Sequence, residues 1–125
     1  MSPRTRPLSP HIQIYRWQIS NTLSIMHRIS GVFLSVGLIA LALWFVSLAS
    51  GGGIYASLMR CFRGSLGRLI FAAGLLSFFF HFFNGIRHLF WDVGIGFEQA
   101  PRRGSGWAVL VGTVVSTAAV LIWAR

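Results

Sequence analysis

The sequence predicts an all-α integral membrane protein: three transmembrane helices plus a short N-terminal interfacial segment. Composition points there first, since 54% of the 125 residues are hydrophobic and only 10% are charged, a balance outside the range of soluble domains. The apolar residues are also gathered into three uncharged runs, at 29–49, 69–86 and 107–124. Each approaches the ~20 residues that a helix needs to cross hydrocarbon. Continuous runs of that kind argue against membrane strands, which alternate in polarity and must close into a barrel.

Taken in order, residues 1–20 form an arm. Its first ten residues are punctuated by Pro3, Pro7 and Pro10 and have no periodicity. They lack the apolar core of a secretory signal and are too short and Pro-rich for an amphipathic transit helix. The following stretch sets Ile14, Tyr15, Trp17 and Ile19 among Gln13, Arg16 and Gln18, as in a segment lying at the membrane–water boundary. Ser20, Asn21 and Thr22 are candidate N-caps, so the first span is expected over 21–49. The Ser-Gly-Gly-Gly run at 50–53 ends it, having no side chains that hold helical geometry. Residues 54–67 are expected to form a loop, with Arg60, Arg63 and Arg68 marking a water interface. The second span is expected over 66–92. Gly94, Gly96 and residues 100–106 make the second loop, and the third span covers 106–124. Its Gly112, Ser116 and Ala119 form a small-residue face suited to close helix approach. No internal repeat appears, and residues 1–125 read as one domain.

The formal charge of +9 arises from eleven arginines and no lysine, opposed only by Asp92 and Glu98. In a soluble protein such a balance would suggest nucleic acid. Here the arginines sit between or beside the spans, as membrane topology demands, and nucleic-acid binding is not expected. With three spans, one side holds Arg4, Arg6, Arg16, Arg28, Arg87, Arg102 and Arg103, and the other holds Arg60, Arg63, Arg68 and Arg125. The positive-inside rule then places the N-terminus in the cytoplasm. Cys61 is the single cysteine, so the chain has neither a disulfide framework nor a thiolate metal set.

The chemistry concentrates at SFFFHFFNGIRHLFWD, residues 77–92. His81 lies at mid-depth of the second span, and an imidazole in hydrocarbon is a functional candidate by default. His81, Gly85 and His88 follow i, i+4, i+7 spacing and share one helical face, which Gly74 and Ser77 extend and Asp92 continues. That narrow strip would admit the edge of a porphyrin. A second constellation, Ser24, His27 and Arg28, stands at the mouth of the first span, with Gly31 and Ser35 continuing inward. The first span begins on the side where the second ends, so Ser24, His27, Arg28, Arg87 and His88 belong at one membrane face. His81 lies about 10 Å deeper than His88 at ~1.5 Å per residue. A neutral His81 imidazole could ligate haem iron, with His27, Arg28 and His88 near the propionates. Ser24 and Arg28 could hold a quinone head. Arg28 stays protonated and would stabilise negative charge on a quinone oxygen without donating the proton.

Blander readings stand beside these. Arg28, Arg87 and His88 could be snorkelling interfacial residues, His27 a surface histidine, and His81 a partner in a helix–helix hydrogen bond. Phe78, Phe79, Phe80, Phe82 and Phe83 read as packing or lipid-facing bulk. No second mid-membrane histidine exists in the chain, so a bis-imidazole haem site would need a ligand from another protein.

These residues resemble a known family. Arg6-Pro-Leu-Ser-Pro-His11 with Ile14-Tyr15, Ser24-Ile-Met-His-Arg-Ile-Ser-Gly31, and His81 with Gly85-Ile-Arg-His-Leu89, Trp91-Asp92 and Gly94 resemble the cytochrome b large membrane-anchor subunit of succinate dehydrogenase, respiratory Complex II. The resemblance implies a three-helix anchor paired with a second small anchor subunit, which supplies the other haem ligand. Together they would hold haem b and a ubiquinone site and dock an iron–sulfur subunit and a flavoprotein subunit. By motif position, His81 falls on the haem axial ligand, Ser24 and Arg28 on quinone-site residues, and His27, Arg28 and His88 near the haem. Succinate oxidation would belong to the flavoprotein, so no catalytic residue for it is expected here. The setting implied is the bacterial inner membrane in preference to the mitochondrial one. Two rivals remain: a structural anchor of the same complex without haem, and a small channel or transporter subunit. No intramembrane acid or discontinuous-helix pair supports the latter.

Overall fold

The computed structural model describes residue 14 and residues 16–124. The Arg6–His11 and Tyr15 part of the motif, and with it most of the expected interfacial arm, lies outside the described residues. Four helices follow in order: α1 (Ile19–Ser50), α2 (Gly53–Arg63), α3 (Ser65–Asp92) and α4 (Gln99–Trp123). Helices α1, α3 and α4 are long and apolar enough to cross a membrane, and no strand occurs among the described residues. This is the all-α membrane architecture expected.

Helix α3 is the central element, packed against both α1 and α4. Leu23 meets Asn84, His27 meets His81 and Arg87 meets Ser105, so α1 and α4 both run antiparallel to α3, and α1 begins, α3 ends and α4 begins at one end of the bundle. The buried hydrophobic core sits toward that end, formed by Leu23, Phe80 and Val109 with Ile19, Phe83 and Leu110 packed around it. It is small for a physical reason. Lipid tails are as apolar as leucine, so helices in a bilayer gain little by hiding apolar side chains from them. Phe78 and Phe82 accordingly face outward, while Phe80 is buried and Phe83 half-buried.

Several expected boundaries shift. Residues 54–67 are not a loop, because 53–63 form α2. Its Arg60 and Arg63 lie in the last turn, where positive charge complements the partial negative charge of the carbonyl end. Gly51 and Gly52 adopt φ of 65° and 79° and break the helix between α1 and α2. Gly64 then both closes α2 and opens α3. This hand-over needs Gly67, since a Cβ there would stand 2.5 Å from the Phe62 Cα and carbonyl oxygen and 2.6 Å from the Cys61 carbonyl oxygen.

The first helix starts before the expected Ser20-Asn21-Thr22 caps, with Gln18 as its N-cap residue. The Thr22 hydroxyl instead accepts from the Trp17 indole at 2.6 Å. Residues 100–106 belong to α4 and not to a loop. Pro101 is compatible with that position because the first-turn N–H groups have no intrahelical acceptor to lose. The α4 face turned inward carries Gly106, Val109, Thr113 and Thr117, and Gly112 lies against the Phe83 ring. Ala119, expected on that face, is exposed, because the true stripe advances by steps of three and four from Gly106.

Candidate functional site at the α1–α3 crossing

The two histidine-bearing segments meet. His27 on α1 and His81 on α3 stack face to face, with ring centroids 3.9 Å apart and planes 11° from parallel. His88, two turns nearer the end of α3, approaches the other side of this pair, 5.1 Å from the His27 centroid. Trp91 packs edge-on to His88 at 5.1 Å. The shared face of His81, Gly85 and His88 is therefore turned toward His27. Gly85 leaves the space this needs, since a Cβ there would lie 3.7 Å from His27 Cε1.

His81 is held through one nitrogen. Its Nδ1 lies 3.1 Å from the His27 carbonyl oxygen and 3.2 Å from Ser30 Oγ, while the Ser30 hydroxyl donates to the same carbonyl at 2.9 Å. A carbonyl oxygen can only accept, so Nδ1 carries the proton and Nε2 carries the lone pair. Among the described residues Nε2 has no hydrogen-bond partner. Gly31 completes the seat, because a Cβ there would stand 3.0 Å from His81 Cε1. The helix–helix hydrogen bond anticipated as the bland alternative thus exists, but it occupies Nδ1 and leaves Nε2 unclaimed. That division suits a metal-ligating histidine, whose second nitrogen is fixed by a carbonyl or similar acceptor.

Ser24 and Arg28 stand on the flank of this crossing. Ser24 is half-buried and Arg28 exposed, and neither makes a hydrogen bond or ion pair with a described residue. They share the bundle end with His27 and His88, but no described contact joins them to the imidazole stack. Asp92 is exposed one turn beyond His88. Among the described residues no three or more His, Cys, Asp or Glu side chains are arranged so that they could hold one metal ion between them.

Arg87 differs from the expected rim residue: it is only 4% exposed. Its guanidinium donates to Ser105 Oγ at 3.0 Å, to Asn84 Oδ1 at 3.3 Å and to the Arg102 carbonyl at 3.3 Å. It also lies 3.9 Å from the centre of the Trp91 ring, a favourable cation–π position. Asn84, fully buried, donates to the Leu23 carbonyl at 3.3 Å. Arg102 in turn donates to Gln18 at 2.7 Å. Removing a charge from water without partners costs several kcal/mol, and these neutral acceptors plus an aromatic face offset that cost. The result is a polar clamp on α1, α3 and α4 at the end that carries the histidines. Sequence reading missed Asn84 and Ser30. The signal for Asn84 was present, since an amide within FFFHFFNGI has no solvent to bond. Ser30 could not be separated from any other helical serine.

Against known proteins, residues 2–120 match the family described as succinate dehydrogenase/fumarate reductase transmembrane subunit. The chain belongs to this family. It is 41% identical over 118 residues to the succinate dehydrogenase cytochrome b556 subunit of Rickettsia bellii, covering 94% of this chain and 90% of that one. It is 36% identical over 117 residues to the b556 subunit of Paracoccus denitrificans, with the same coverage. The human mitochondrial cytochrome b560 subunit is 38% identical over 114 residues, covering 90% of this chain and 68% of that one. As a transmembrane subunit of this family, the chain serves as a membrane anchor in Complex II, with α1, α3 and α4 as its spans.

Proposed function

We propose that this subunit binds haem b through His81 Nε2, borders a ubiquinone site at Ser24 and Arg28, and supports electron transfer from succinate to ubiquinone. The observation that carries the reading is the division of labour within the His81 ring: Nδ1 donates to the His27 carbonyl and Nε2 has no partner among the described residues. The other axial ligand comes from a second small anchor subunit, because His27, the histidine that meets His81, lies flat against the face of its ring and not in line with Nε2. His27, Arg28 and His88 are the groups placed to meet the haem propionates, as charge-assisted donors. Haem, when bound, supplies a one-electron redox centre within the membrane.

Ser24 and Arg28 hold the quinone head. Ser24 contributes a hydroxyl donor, and Arg28 a permanent charge that stabilises negative charge developing on a quinone oxygen. Neither is committed to another described residue, and both sit where a quinone tail could remain in lipid. The iron–sulfur and flavoprotein subunits dock on the face where α1 begins, which the excess of arginines assigns to the cytoplasm. The protein thus resides in the bacterial inner membrane.

The purified complex tests this by its reduced-minus-oxidised spectrum. A b-type α-band that disappears in His81→Ala, with both soluble subunits still attached, is expected. An intact complex without that band would replace this reading with that of a haem-free structural anchor.

A further inference from the structure

Three elements converge on the His81 ring from α1: the His27 imidazole on its face, Gly31 at Cε1, and Ser30 Oγ beside the His27 carbonyl at Nδ1. Ser30 is itself 6% exposed, so its hydroxyl has little access to solvent. Its proton is directed at the His27 carbonyl, 2.9 Å away. Its lone pairs are therefore free to face the Nδ1–H. The ring nitrogen meets two acceptors: the backbone carbonyl, which cannot donate, excludes the tautomer that would put the proton on Nε2, and the serine oxygen, its own proton committed to that carbonyl, adds a second acceptor.

We propose that Ser30 is a positioning residue for the metal-ligating nitrogen of His81, fixing its tautomer and ring orientation and raising the electron-donating power of Nε2. This inference rests on the haem reading above. Ser30 does not touch the metal and acts wholly through the imidazole. The physical link is polarisation: an acceptor at Nδ1–H draws the proton outward and leaves more electron density at Nε2. A stronger donor favours the oxidised metal. Loss of the hydroxyl therefore raises the haem potential and loosens haem retention. Removal of such an outer partner typically weakens metal-site affinity by about 10–100-fold. The surviving His27 carbonyl places the expected loss near the lower end.

The test uses the intact complex carrying Ser30→Ala, Ser30→Thr or Ser30→Val, with redox titration of the b-type band and haem transfer to apomyoglobin. Thr and Val have nearly the same shape, and a helical Thr can keep its hydroxyl on the preceding turn's carbonyl. The pair therefore separates the hydroxyl from packing. Expected are a more positive potential and about 10-fold weaker retention in Ser30→Ala and Ser30→Val, with Ser30→Thr near the parent in both. Equal potentials and retention in the Thr and Val variants would overturn the role of Ser30 while leaving haem binding intact. A parent complex with no b-type band overturns the haem reading and this inference with it.

Discussion

Arg87 and Asn84 are bonded side chain to side chain in the interior of the bundle, the guanidinium donating to the amide oxygen at 3.3 Å. Asn84 passes the connection to α1 through Leu23, and Arg87 passes it to α4 through Ser105 and the Arg102 carbonyl. One pair of residues on α3 thereby ties three spans together. Directional bonds matter more here than in a soluble core, because apolar contact alone does not distinguish a neighbouring helix from lipid.

Asn84→Leu leaves Arg87 Nη1 without its amide acceptor inside the bundle. An unsatisfied buried polar group costs about 1–3 kcal/mol, and more when charged. The variant should unfold at lower temperature or detergent denaturant than the parent, by an amount equivalent to at least ~1 kcal/mol. Helix content by circular dichroism should stay unchanged below the transition. An unaltered transition would remove the clamp.

Gly31→Ala places a methyl 3.0 Å from His81 Cε1, closer than ordinary contact. The ring must shift, and with it the bonds from Nδ1. A weakened or shifted b-type band is expected in a complex that still assembles. Gly31→Val, with two further carbons, should abolish the band. Spectra identical to the parent in both variants would contradict the ring seat.

Gly67 offers the opposite case, far from the histidines. A Cβ there would meet backbone atoms at 2.5 Å, which cannot rotate aside as a side chain can. Gly67→Ala should destabilise by about 1–3 kcal/mol, the usual range for overpacking. The complex that does assemble should keep the parent haem spectrum, because the strain lies at the other end of the bundle. Thermal denaturation and an absorption spectrum together check both halves.

Ser24→Ala and Arg28→Ala should slow ubiquinone reduction while succinate oxidation with an artificial acceptor persists. A hydrogen bond to a charged group is worth about 1.5–3 kcal/mol, so Arg28→Ala should lower kcat/KM for quinone by about 10–100-fold. Ser24→Ala, losing a neutral donor, should lose less. Parent-like quinone kinetics in both would reject the assignment.

Cys61 is exposed on α2, at the bundle end opposite His27. With the N-terminus cytoplasmic, a membrane-impermeant maleimide should label Cys61 in spheroplasts without permeabilisation. Labelling only after permeabilisation would invert the orientation.

How far the sequence reached depends on what each residue had to be compared with. His81 stood out because an imidazole in a phenylalanine-rich span has no bland partner nearby in the chain, and its i, i+4, i+7 relation to Gly85 and His88 survives in three dimensions as the face turned to His27. Residues 54–63 did not stand out as helix. Their two arginines and small residues suit either a loop or an amphipathic helix lying at an interface, and local composition does not separate the two. Arg87 and Arg28 carry the same charge on the same side of the membrane, yet one is buried and the other exposed. Nothing in their neighbours predicts which.

By itself the sequence determined three spans, their antiparallel order and the end at which the chemistry gathers, because hydropathy and charge act on each segment independently of the others. Only the tertiary structure decided that Ser30 and the His27 carbonyl share the His81 proton, and that Asn84 and Arg87 close the bundle. Those outcomes depend on the rotation of one helix against another, which is set by contacts between residues tens of positions apart in the chain.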